Sequence, residues 1–97
     1  MRKYEIMFIV KPDLEENAIA TVANSMKDLL TTNGATLLEE KSMGQRELAY
    51  EINKYKTGYY FLYLIESCGD ESIKEFERVA LINENIIRHL IVKVEER

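Results

Sequence analysis

The chain has 97 residues, 46% of them hydrophobic and 31% charged, with 13 Lys and Arg against 17 Asp and Glu for a formal net charge of −4. That size supports one domain, residues 1–97, around one core, and the acidic balance excludes nucleic-acid binding by diffuse attraction, which depends on phosphate neutralisation. The longest apolar run, Tyr59 to Ile65, is far short of the roughly 20 residues that span a bilayer, and Glu5 and Lys11 interrupt the stretch a secretory signal would need, so no membrane contact and a cytoplasmic location are expected.

From Arg2 to Val10, the residues Tyr4, Ile6, Phe8 and Val10 recur at every second position, which predicts a strand largely buried on both faces. Lys11-Pro12-Asp13 ends it. Asp13 followed by Glu16 forms a capping-box signature, and Leu14, Ala18, Val22, Met26 and Leu30 then recur at helical spacing. Gly34 closes that helix. Residues Ala35 to Met43 and Gln45 to Ile52 read as one long strand bent at Gly44, where a bulge is expected. Within it Leu48, Tyr50 and Ile52 alternate.

Asn53 to Gly58 reads as a turn, and Tyr59 to Glu66, the most β-favouring run, makes a hairpin with the strand before it. Asp70 opens a second helix with Ile73, Phe76 and Ala80 inward, and after Asn83-Glu84-Asn85 the run Ile86 to Val94 predicts a final strand. The order β-α-β-β-α-β belongs to the α+β class and is the ferredoxin-like split βαβ arrangement. Right-handed crossovers would put both helices on one face of a four-stranded antiparallel sheet. The first and last strands are expected at its centre, and the opposite face open for a partner.

The charge is unevenly distributed. The first helical region, Asp13 to Asn33, has one lysine against four acidic residues, and the second, Asp70 to Asn85, has two basic against five acidic. Each carries −3, so the rest of the chain carries +2. Any nucleic-acid contact should therefore be local and shared with a more basic protein.

Nothing in the chain composes a catalytic site. His89 is the sole histidine, expected at the surface or facing a partner, and no nucleophile is paired with a base. Glu39-Glu40 and Glu95-Glu96 are adjacent carboxylates, which on a strand point to opposite faces and read as solvated charges. Cys68 is the one cysteine, without a second thiolate or metal-ligand spacing. The four glycines lie at element boundaries rather than in a phosphate loop. No metal, cofactor or small-molecule substrate is expected. A small-molecule sensing domain is the alternative on this fold, but it needs a pocket with convergent polar groups, for which no residues stand out.

What remains is a binding surface. Lys54-Tyr55-Lys56 sets an aromatic ring between two cations, with Arg46 on the strand entering the turn and Tyr59-Tyr60 just after it, so phosphate pairing and stacking are both available. The plainer reading is a solvated turn and core tyrosines. Arg2, Lys3, Arg88 and Lys93 form a second basic set on two strands expected to be neighbours, and hence one patch. An RNA-recognition-motif module shares the element order and keeps aromatics on its first and third strands. Gly58, Tyr59 and Phe61 fit three positions of its third-strand consensus, while Thr57, Tyr60 and Leu64 depart from it.

The whole chain more closely resembles the bacterial small-subunit ribosomal protein S six family. The resemblance rests on Met1-Arg2-Lys3-Tyr4-Glu5-Ile6-Met7-Phe8-Ile9-Val10-Lys11-Pro12, on Gly44-x-Arg46-x-Leu48-Ala49-Tyr50-x-Ile52-Asn53, on Gly58-Tyr59-Tyr60 and on Ile86-Ile87-Arg88-x-x-Ile91-Val92-Lys93. Met43 stands where many members have tryptophan, and Glu51 where many have proline. The resemblance implies a structural ribosomal protein, not an enzyme. It would bind the central domain of small-subunit ribosomal RNA together with the small basic protein S eighteen. On that reading Arg46, Leu48 and Tyr50 dock the partner protein, and Arg2, Lys3, Lys54, Lys56, Arg88 and Lys93 contact phosphates or sugars.

Overall fold

Alternating apolar residues make the strands and 3.6-residue periodicity makes the helices, in the order β1 (Arg2–Val10), α1 (Glu16–Thr32), β2 (Thr36–Ile52), β3 (Tyr55–Ser67), α2 (Glu71–Ile82) and β4 (Ile86–Val94). The computed structural model describes residues 2–52 and 54–94. Asn53, where the turn was expected to begin, and the Glu95-Glu96 pair lie outside the described residues. The four strands form one antiparallel sheet in the order β2-β3-β1-β4. Both helices cover one face, the ferredoxin-like arrangement.

The expectation that the first and last strands are central is corrected for β4, which is an edge; β1 and β3 are the centre. The crossover through α1 carries the chain one place beyond β1's neighbour, and the hairpin returns β3 into the slot so left. The second crossover places β4 on β1's other side.

The helix-facing side of the sheet supplies Tyr4, Ile6, Phe8, Val10, Phe61, Tyr63 and Ile65, and α1 packs Ile19, Val22, Ala23, Met26 and Leu30 against them. Phe8 is the hub of this core. It stacks on Phe61 with ring centroids 5.2 Å apart, and meets Tyr63 and Phe76 edge-on at 5.4 and 5.8 Å. Tyr63 satisfies its buried hydroxyl by donating to the Ala23 carbonyl at 3.0 Å. Burial, with Glu40 adding to it, holds that phenol well above the ordinary tyrosine range.

Two local expectations change. The capping box does not form: α1 starts after an extended Glu15 with no side-chain cap, and Asp13 instead accepts a hydrogen bond from the Tyr55 hydroxyl at 3.3 Å and pairs with Lys11 at 3.9 Å. The hairpin is also tighter than expected, since β3 begins at Tyr55 opposite Ile52. Gly58 is therefore not a turn residue but sits inside β3. A Cβ there would overlap Ile9 Cγ2 and come 3.4 Å from the Val10 carbonyl oxygen. Because Ile9 is β-branched and stiff, Gly58→Ala should cost about 1–3 kcal/mol of stability, read as a lower urea midpoint. An unchanged midpoint would mean that β1 yields freely at Ile9.

Candidate functional site

Pleating sends every second side chain to the face that the helices leave bare, and the register across all four strands lays that face out in rows. Thr36, Glu66, Lys3 and Val94 make the first row; Glu39, Leu64, Glu5 and Val92 the second. Lys41, Leu62, Met7 and Leu90 make the third; Gly44, Tyr60, Ile9 and Arg88 the fourth; Arg46 lies opposite Gly58 in the fifth. The middle of the face is hydrocarbon, and Leu90 is 54% exposed and Val92 46%. Contiguous exposed apolar surface of this kind is commoner at interaction sites than elsewhere on a protein.

Beyond the fifth row the hairpin continues as an arm. Between Glu47, opposite Thr57, and Ile52, opposite Tyr55, four residues of β2 face only Lys56 of β3. This large bulge bends the arm. Leu48, Tyr50 and Ile52 come together with Ile9, Tyr60 and Leu90 around a groove of ≈ 370 Å³. Gly44, with φ +75°, marks a second register shift between Ser42 and Gly44, at the bend expected from the sequence.

The arm is tied to the far edge of the sheet. Arg88 of β4 lies over the Tyr50 ring, 5.5 Å from its centroid, and its Nη1 donates to the Tyr50 hydroxyl. Arg46 Nε donates to the Met43 carbonyl at 3.2 Å. The three residues expected to meet a protein partner, Arg46, Leu48 and Tyr50, thus lie at one end of the open face with Arg88. Lys54, at φ +71°, and Lys56 are exposed on the arm.

The expected patch of Arg2, Lys3, Arg88 and Lys93 is not one patch. Lys93 pairs with the core residue Tyr4 and Arg2 with buried Ser67, so both belong to the helix-bearing side. Lys3 and Arg88 share the open face, but Arg88 pairs with Ile9, six residues along β1 from Lys3, or roughly 20 Å at about 3.4 Å per residue. Adjacency of strands does not bring side chains together when their parity differs.

The third-strand aromatics that suggested base stacking are also turned inward. Phe61 is buried on Phe8, and Tyr59 packs against the same core, leaving Tyr60 as the one aromatic in the rows of the open face. His89, expected at the surface or facing a partner, is half-buried on the helix side with its ring 6.2 Å from Phe76. Glu39 and Glu40 do point to opposite faces, pairing with Lys41 at 3.4 Å and Lys27 at 3.3 Å. Sequence reasoning missed Met7, Leu62, Leu90 and Val92 as surface. Both phases of these strands are apolar, so the period alone does not say which faces out.

Among the described residues no group of three or more His, Cys, Asp or Glu is placed to hold a metal ion, and no helix is long and apolar enough to cross a membrane. The family model described as Ribosomal protein S6 matches residues 3–93 of the chain. Among solved structures, the crystal structure of the 30S ribosomal protein S6 from Thermotoga maritima matches with a TM-score of 0.90 at 26% identity, over 96% of this chain and 87% of that one.

Proposed function

This chain belongs to the ribosomal protein S6 family, and on that premise we propose that it binds the central domain of small-subunit ribosomal RNA as a heterodimer with the small basic protein S eighteen. Membership makes it a structural component of the small ribosomal subunit, serving translation on the cytoplasmic ribosome, rather than an enzyme. The observation that carries the heterodimer is the composition of the open face. Its floor is largely aliphatic, with exposed Leu90 and Val92, while Tyr59 and Phe61 of the third strand turn to the core and leave Tyr60 as the one aromatic in its rows. Such a surface favours a protein partner over an RNA strand.

Arg46, Leu48 and Tyr50 then meet that partner beside the groove, and Arg88, held by Tyr50, joins them. Lys3, in the first row of the same face, also lies on the partner's side. Lys54 and Lys56 on the arm, and Arg2 and Lys93 at the other end on the helix-bearing side, are the cations left to contact RNA phosphates or sugars. Two separated sites of two cations each are a small electrostatic footprint on a chain of net −4, and the basic partner supplies the rest.

The test is a filter-binding titration of central-domain RNA with this chain, with S eighteen, and with both. Capture only by the joint mixture is expected. Tight binding by this chain alone would make it a self-sufficient RNA module, and no capture in any mixture would overturn the reading. Replacing Lys54 and Lys56 by Ala should flatten the salt dependence of joint capture by up to about 2 log units per log unit, since each phosphate contact contributes roughly 0.7–0.9. An unchanged slope would remove both lysines from the contact list.

A further inference from the structure

We propose that the open face dictates the direction of its partner: a partner segment lies along the strands with basic residues over Glu5 and Glu66, apolar residues over Leu62, Leu90 and Val92, and an acidic group at Arg46 and Arg88. The inference rests on the heterodimer reading and deepens it by giving the chemistry and orientation of what docks. It follows from the rows. The first two hold three carboxylates, Glu66, Glu5 and Glu39, against Lys3, and Lys41 of the third row balances Glu39 at 3.4 Å. The fourth and fifth hold two guanidiniums, Arg88 and Arg46, and no carboxylate. Hydrocarbon separates the two ends.

Glu5 and Ile9, the latter in Arg88's row, are four residues apart on β1, or roughly 14 Å at about 3.4 Å per residue. An extended segment of four or five residues spans that distance. Arg88 uses one N–H on Tyr50, and a guanidinium has five donors in a planar fork suited to a carboxylate. A nucleic-acid strand along the same path would set phosphates beside Glu5 and Glu66 and find only Tyr60 among the rows, with Tyr50 at the groove, to stack on. A polypeptide graded from basic through apolar to acidic meets carboxylates at Glu5 and Glu66, hydrocarbon at Leu62, Leu90 and Val92, and guanidiniums at Arg88 and Arg46. Exposed charges act over about a Debye length, so this pattern sets register and encounter rate more than total affinity.

The test measures the affinity of the full chain for purified S eighteen at low and high salt, and maps the contact by photo-crosslinking from a benzoylphenylalanine placed at position 5 or at position 46. The Glu5→Lys, Glu66→Lys double variant should bind about tenfold more weakly at low salt and recover part of that at high salt, as for two rim charges. The neutral Glu5→Gln, Glu66→Gln variant, which avoids setting a new lysine opposite Lys3, should lose about half as much on the logarithmic scale. The crosslink from position 5 should capture a Lys/Arg-bearing peptide of S eighteen and that from position 46 an acidic one. Wild-type affinity in both variants, or the two peptides in reverse order, would overturn the direction while leaving the heterodimer standing. Failure of the unmodified chain to bind S eighteen would overturn the heterodimer reading and this inference with it.

Discussion

A Leu90→Asp chain should fold normally yet bind S eighteen at least about 100-fold more weakly, close to 2.7 kcal/mol. Leu90 is 54% exposed on an edge strand, in the most apolar row of the open face. In the free chain an aspartate there stays in water and costs the fold little. In the complex it would be a desolvated carboxylate among Leu62, Met7 and the partner's apolar side chains, while the nearest guanidinium on that face, Arg88, is already engaged with Tyr50, and such a charge is costly. Leu81→Asp is the control. Leu81 is more exposed, at 76%, but lies on α2 away from the sheet's open face, and its replacement should leave the affinity unchanged. Calorimetric titration reads the affinities and thermal unfolding confirms the folds. Normal binding by Leu90→Asp would move the partner off the open face.

The second large effect is on the fold itself. Phe8→Ala should lower unfolding free energy by about 3–5 kcal/mol, a large part of the roughly 5–15 kcal/mol that holds a typical domain together. The ring is fully buried, and its removal opens a void among Phe61, Tyr63 and Phe76, which meet on it from three directions. Those neighbours come from β3 and α2, so the cavity cannot close by moving one element. Urea titration monitored by circular dichroism measures the loss. A change below about 1 kcal/mol would be that of an ordinary surface substitution and would show that the core is not organised on this ring.

Element order was legible because each element has a clean period: Tyr4, Ile6, Phe8 and Val10 on β1, and Val22, Met26 and Leu30 on α1, are buried as their spacing requires. The place of β4 was not, because the alternation of Ile86 to Val94 is the same at a centre or an edge and only crossover geometry decides. The phase of β3 was hidden too. Tyr59, Phe61 and Tyr63 alternate with Tyr60, Leu62 and Leu64, and both sets are apolar; pairing with Phe8 selects the first for the core. Gly58 looked like a turn residue, but close approach of Ile9 accounts for it. Of the candidate site, the choice of Arg46, Leu48 and Tyr50 came from the family resemblance, and only their common strand was readable from the chain itself. The clasp of Tyr50 by Arg88, 38 residues away, was not, since it depends on a bulge between Glu47 and Ile52 that local propensity does not specify.

The pairing of residues 3–10 with residues 86–94 makes this protein's own synthesis its exposed interval. β1 leaves the exit tunnel first, yet one of its edges is completed only by the last strand to be made. Until Ile86 to Val94 arrive, a nascent chain with β1 and β3 already paired presents β1's unpaired backbone groups along Ile6, Met7 and Phe8. An open apolar edge of that kind invites pairing with a neighbouring chain. A chain that lacks β4 thus carries an exposed edge on β1 that the finished sheet covers.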